Sequence, residues 1–177
     1  MRITGEQVAA YERDGFLVLD NFIERDDCDS LCVRAEELVR DFDPRGVVSI
    51  FSTHEQTRTS DDYFLESGDK IRFFFEENAF LPDGTLRQSK ERSINKIGHA
   101  LHDLDPVFGK FSRTDKIKQL VSDLGIADPL LLQSMYIFKR PFSTPNRCGC
   151  SVSGLRSKMR ALRTVVSGRF PAATTAD

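Results

Sequence analysis

Three histidines, His54, His99 and His102, are the only imidazoles in the chain, and two of them stand three residues apart beside Asp103 and Asp105. On a helix that spacing could bring two rings and a carboxylate to one face, a set that suits a transition metal. The stretch His99-Ala100-Leu101-His102 lacks the glutamate of a zincin helix, so surface or helix-capping roles are the expectation. Four cysteines, Cys28, Cys32, Cys148 and Cys150, could form a disulfide pair or a metal site. No spacing among them matches a zinc framework, and Cys28 and Cys32 lie one helical turn apart, where buried free thiols are common. The sequence contains no Gly-rich phosphate loop and no nucleophile elbow. The phenylalanine run Phe73-Phe74-Phe75 reads as core.

Any such residues need elements to hold them. Thr4 followed by Gln7 is a capping-box pattern that opens a helix near Gly5, with Val8 and Tyr11 inward, and Asp14-Gly15 ends it. Phe16-Leu17-Val18-Leu19 reads as a short buried strand. Leu31, Cys32, Ala35, Leu38, Val39 and Phe42 recur at helical spacing and predict a helix over 24–42, closed by Pro44 and Gly46. Residues 50–70 read as loop, 71–76 as a strand, and Leu81-Pro82-Asp83-Gly84 as a turn. Ser93 is expected to cap a helix with Ile94, Ile97 and Leu101 inward. Asp105-Pro106 starts a short helix with proline at its tolerated first position. Thr114 opens another, with Ile117, Leu120, Val121 and Leu124 inward and Gly125 as its stop. Residues 129–139 read as a strand, and no element is expected after Pro141.

A chain of 177 residues with 40% hydrophobic and 29% charged side chains falls within the size of one globular, soluble domain. No apolar run is long enough to span a bilayer, and no signal stretch or peroxisomal address is present, which makes the cytosol the expected location. Charge is uneven. Residues 142–177 contain Arg147, Arg156, Lys158, Arg160, Arg163 and Arg169 but only one acid, Asp177. A basic tail could bind nucleic acid or an anionic membrane, yet this one lacks aromatic interleaving and amphipathic period, so neither partner is expected.

Several stretches resemble the phytanoyl-CoA dioxygenase family. They are Asp14-Gly15-Phe16-Leu17-Val18-Leu19, Asp62-Tyr63-Phe64-Leu65, and Ser67-Gly68-Asp69-Lys70-Ile71-Arg72-Phe73-Phe74-Phe75-Glu76. They continue with Ser93-Ile94-Asn95-Lys96-Ile97-Gly98-His99-Ala100-Leu101-His102, Asp105-Pro106-Val107-Phe108, and Gln133-Ser134-Met135-Tyr136-Ile137-Phe138-Lys139. The resemblance implies a non-haem Fe(II), 2-oxoglutarate-dependent dioxygenase that hydroxylates a C–H bond of a small molecule. The fold it implies is α+β, with N-terminal helices and a double-stranded β-helix (jelly-roll) core. In such enzymes two histidines and a carboxylate hold the iron. Family members place a lysine at the position of Lys96 and a methionine at that of Met135 in contact with 2-oxoglutarate. A carboxylate suits a cationic donor, and a methionine gives adaptable packing. Without the resemblance, the two read as a solvated helix lysine and a core methionine.

The family's His-x-Asp motif should follow Lys139 within about twenty residues, with a further histidine much later. From Pro141 onward there is no histidine. Residues 1–141 are therefore expected to be the N-terminal part of the domain, with an incomplete core, and 142–177 a disordered, out-of-frame tail. The genetic code is compatible with this. Read one nucleotide away, the codons for Val152 through Thr174 permit Val-Trp-Ile-Ala-Val-Glu-Asp-Ala-x-Leu-Glu-Asn-Gly-Cys-Leu-Trp-x-x-Pro-Gly-Ser-His, which resembles the family downstream of His-x-Asp. The expectation is a chain without iron or catalytic residues, with at most weak 2-oxoglutarate contact through Lys96 and Met135. A non-enzymatic interaction module or regulatory isoform is the alternative.

Overall fold

The structure is a computed structural model that describes residues 2–51 and 61–138, with the backbone of 155–157 and 160–162. The readings made for His54, for Cys148 and Cys150, and for most of the tail lie outside the described residues.

The N-terminal helix α1, Gly5–Asp14, closes the capping box expected of it. Gln7 N–H donates to Thr4 Oγ1 at 3.2 Å and Thr4 N–H to Gln7 Oε1 at 2.8 Å, occupying donors that the helix leaves open. Gly15 ends it at φ +77°, a left-handed position that glycine takes without steric cost. Phe16–Leu19 is not a strand. No ladder forms, and Phe16 and Val18 are exposed while Leu19 is buried. One side of an extended chain packs here, with no pairing partner among the described residues.

Helix α2, Arg25–Asp41, matches the apolar stripe: Leu31, Cys32, Ala35 and Val39 are buried, and each leucine or valine so removed from water contributes about 1.5–3 kcal/mol. Phe42 caps its C-terminus, and Lys90 Nζ donates to the carbonyls of Arg40 and Phe42 at 2.6 and 2.7 Å, a cation at the negative end of the helix. A one-turn helix α3, Asp62–Leu65, stands where a loop was expected. It precedes strand β1, Ile71–Phe75.

The largest difference from expectation lies at residues 93–99. Ser93 does not open a helix; it ends the one-turn α4, Lys90–Ser93, and Ile94–His99 is strand β2. Ile94, Ile97 and Leu101 are buried, as a helix would also have placed them. Five of the six strand positions are buried, so the alternation that marks a half-exposed strand is missing. After β2 come α5, Leu101–Leu104, α6, Pro106–Ser112, and α7, Asp115–Asp123. Asp105 and Pro106 start α6 as expected, and Gly125 follows α7 at φ +69°. Two short strands replace the single one expected over 129–139: β3, Leu130–Leu131, and β4, Ser134–Ile137.

Strands β1, β2 and β4 form an antiparallel sheet with β2 in the centre. Phe73, Ile97 and Tyr136 are cross-strand partners in one row, and all three join the apolar core with Leu31, Ala35 and Val39. Phe42 stacks on Phe73 with centroids 4.1 Å apart. The neighbouring row, Phe74, Lys96 and Ile137, belongs to the opposite face by strand alternation. In the tail, the backbone of β5, Leu155–Ser157, and β6, Arg160–Leu162, pairs in order with β3. The expectation of disorder over 142–177 falls mostly on residues outside those described. An open strand edge accepts backbone hydrogen bonds from almost any sequence.

Candidate functional site

Lys96 sits at the middle of β2 and is 1% exposed, so the solvated helix lysine expected from local pattern is corrected. The chain folds three aromatic rings around its ammonium. Phe74, its partner across β1, lies 4.8 Å from Nζ to ring centroid. Phe51 arrives from the segment before β1, where Phe51 N–H donates to Phe75 O at 2.9 Å, and its centroid is 3.8 Å from Nζ. Phe64, on α3, lies at 4.9 Å. Helix α3 is fastened in place by Asp61, which accepts from Phe64 N–H at 2.8 Å and from Ser49 Oγ at 3.2 Å, and by Arg72, which donates to Tyr63 O.

Met135 completes the enclosure from β4, its Sδ 3.9 Å from Nζ. It is half-buried, and it crosses β2 at Gly98, its register partner. A Cβ on Gly98 would meet Met135 Cγ at 3.2 Å and Ser134 O at 3.4 Å, so the close crossing favours glycine, and a larger residue would push Met135 aside. The two residues that the family resemblance singled out, 39 positions apart, are thus brought together.

His99 and His102 do not share a helix, and neither lies at the surface, contrary to expectation; they are 4% and 3% exposed. The site includes His99, whose Nε2 is 3.5 Å from Lys96 Nζ and whose Nδ1 is 2.5 Å from Ser67 Oγ. His102 serves the scaffold. Its Nε2–H donates to Leu131 O at 3.1 Å, and its Nδ1 accepts from Ser134 Oγ at 2.8 Å, tying α5 to the strands that follow. No local signal marked Phe51 or Phe64 as neighbours of Lys96, or Ser67 as the partner of His99, because all three lie far from β2 in the chain.

A buried ammonium with no carboxylate beside it is costly. Among the described residues no acid pairs with Lys96, and burial pushes its pKa down to about 8. Burial, joined by the adjacent Lys96 charge, lowers His99 to about 4, which leaves it neutral. Ring faces attract the cation but cannot neutralise it. The site therefore lacks a counter-charge of the kind that an anionic group, such as a ligand carboxylate, would supply.

The described residues of the site do not by themselves fit iron. Among the described residues no group of three or more His, Cys, Asp or Glu side chains is placed to hold a metal. Both ring nitrogens of His99 and of His102 are already met by protein groups. Among the same residues no helix is long and apolar enough to cross a membrane.

Residues 11–149 match the family model described as Phytanoyl-CoA dioxygenase (PhyH), reaching eight residues beyond the boundary drawn at 141. The chain is 48% identical over 139 residues to "Phytanoyl-CoA dioxygenase" of Arabidopsis thaliana, covering 78% of this chain and 49% of that protein. It is similar, at 48% identity over 139 residues and the same coverage, to "Phytanoyl-CoA dioxygenase domain-containing protein 1 homolog" of Dictyostelium discoideum. To "Phytanoyl-CoA dioxygenase domain-containing protein 1" of Bos taurus it is 44% identical over 144 residues, covering 78% of this chain and 50% of that protein. The chain spans about half the length of the curated relatives it matches. With a family model over most of its length and relatives at this identity, the chain belongs to the phytanoyl-CoA dioxygenase family.

Proposed function

We propose that this chain carries part of the 2-oxoglutarate-binding wall of a phytanoyl-CoA dioxygenase-type domain, the start of a jelly-roll core, and that by itself it does not turn over. The observation that carries the reading is the Lys96 ammonium: buried, unpaired with any carboxylate among the described residues, and faced by Met135. Lys96 would bind one carboxylate of 2-oxoglutarate by a charge-assisted hydrogen bond. Met135 and the rings of Phe64 and Phe74 would keep water away and hold the lysine stem. In the family, 2-oxoglutarate is the co-substrate whose oxidation accompanies hydroxylation of a C–H bond.

The residues from Pro141 to Asp177 include no histidine, and the reading therefore assigns this chain no iron and no oxygenase step. The out-of-frame origin of 142–177 belongs to the same proposal. Sequencing the transcript across the codons for Pro141 to Cys150 tests it, and a continuous, unskipped genomic frame there would refute it. For the site, equilibrium dialysis with 2-oxoglutarate should show weak binding that Lys96→Ala removes. Incubation with Fe(II), ascorbate and 2-oxoglutarate should give no succinate above background. Succinate formation together with stoichiometric, tightly held Fe(II) would overturn the inactive reading. Binding unchanged in Lys96→Ala would overturn the carboxylate reading.

A further inference from the structure

We infer that His99, locked by Ser67 as the Nδ1–H tautomer, is a positioning residue that aims the Lys96 ammonium through its bare Nε2. This rests on the carboxylate-binding reading of Lys96 and goes beyond it by assigning work to the histidine beside that lysine.

The proton inventory fixes the tautomer. Ser67 is 1% exposed, and its hydroxyl donates to Phe64 O at 2.5 Å. A serine hydroxyl has one hydrogen, so toward His99 Nδ1, 2.5 Å away, Ser67 Oγ accepts. Nδ1 therefore carries the ring proton. The other nitrogen, Nε2, presents a lone pair to Lys96 Nζ at 3.5 Å, the outer edge of hydrogen-bond reach.

The remaining neighbours of the ammonium direct it only weakly: a thioether sulfur at 3.9 Å is a poor acceptor, and ring faces are not directional. Three ring faces and the Met135 sulfur attract it from several sides. A lysine stem with four carbons and three rotatable donors needs a directional acceptor to hold one geometry. His99 is the imidazole or oxygen acceptor that the described residues provide. It is itself boxed by Phe64 and Phe74, whose centroids lie 5.3 and 5.4 Å from its ring. Lys96 is the charged group facing it; Ser67 meets it from α3's C-terminal end, and Ser134 Oγ reaches only its backbone carbonyl, at 3.4 Å. A protonated His99 would set two cations against each other, so the arrangement depends on a neutral ring. Burial keeps it neutral.

Three measurements on the 177-residue chain test the inference: imidazole ¹⁵N shifts, the ¹³Cε titration of Lys96, and dialysis of 2-oxoglutarate. The expected His99 spectrum has a protonated Nδ1 and a bare Nε2. Ser67→Ala should release the tautomer, and His99→Phe should lower the Lys96 titration midpoint and weaken 2-oxoglutarate by roughly tenfold. His99→Gln, with an amide oxygen to accept, should recover most of both. A wild-type Nε2 that carries the proton would overturn the inference, as would a Lys96 midpoint unmoved in folded Ser67→Ala and His99→Phe. If His99→Phe does not fold, the wild-type shifts and Ser67→Ala decide. Should the midpoint move while wild type binds no 2-oxoglutarate, positioning stands and the carboxylate reading falls. Should Lys96→Ala abolish binding while both other variants keep binding and midpoint, positioning alone falls.

Discussion

Arg34 and Lys96 both carry a cation inward, one at the junction of α2 and α6 and the other at the centre of the sheet, with opposite company. Arg34 Nε meets Asp105 Oδ2 at 2.7 Å and its Nη1 meets Glu37 Oε2 at 2.8 Å. Asp105, its side chain 1% exposed, also accepts from Val107 and Phe108 N–H at 3.0 and 3.1 Å, so one carboxylate caps α6 and fastens it to α2. Lys96 has rings, a sulfur and a neutral imidazole around it, and no acid among the described residues. Scaffold charges here are balanced within the fold. Lys96 lies deeper than Arg34 and keeps a charge that no acid among the described residues balances, the kind of environment in which functional groups cluster.

The sharpest way to break this contrast is to remove one partner from each region. Asp105→Ala leaves Arg34 without its inner carboxylate and α6 without its cap, and should cost about 4 kcal/mol in urea unfolding. A loss below about 1 kcal/mol would mean that the junction is not the balanced half of the pair.

Alkaline pH should sharpen the other half. The Lys96 pKa of about 8 in the fold lies below its ordinary 10.5. Between those values the unfolded chain binds more protons, so stability rises with pH. The gain should be roughly 2 kcal/mol after solvent relaxation is allowed for, read as the difference between wild type and Lys96→Met. His99 has the same sign on the acid side. Its pKa of about 4 lies below 6.5, so its contribution is present above pH 6.5 and drains away toward pH 4. Wild type and His99→Gln melting with the same acid slope would contradict this.

At pH 7, Lys96→Met should stabilise the chain by about 1.5 kcal/mol, since an unpaired buried cation gives way to an apolar side chain of similar length. It should do so while removing 2-oxoglutarate binding. Destabilisation would show that the ammonium is structural after all. The smallest expected effect is Gly98→Ala, about 1 kcal/mol of destabilisation as Met135 shifts to admit a Cβ, with weakened ligand binding as its accompaniment.

Helices were legible where their ends are chemical. Thr4 and Gln7, Asp105 and Pro106, and the stop at Gly125 act over a few residues, so local sequence contains the cause. Strand β2 was not legible. Ile94, Ile97 and Leu101 repeat at a helical interval, and Asn95, Lys96 and Gly98 are poor strand formers. Pairing with β1 and β4 overrides that preference with two ladders of hydrogen bonds. Phe16–Leu19 fails the other way: strand-like residues stay unpaired because none of the described strands lies beside them.

The sequence by itself determined the family, through long specific stretches such as 67–76 and 93–102, and the amphipathic faces of α2 and α7. It also held Lys96 and Met135 as a pair through resemblance alone. Only the tertiary structure decided that Lys96 is buried, that Phe51, Phe64 and Phe74 surround it, and that His99 and Ser67 stand behind it. Burial and charge balance are sums over neighbours distant in the chain, and no window of local sequence contains those neighbours.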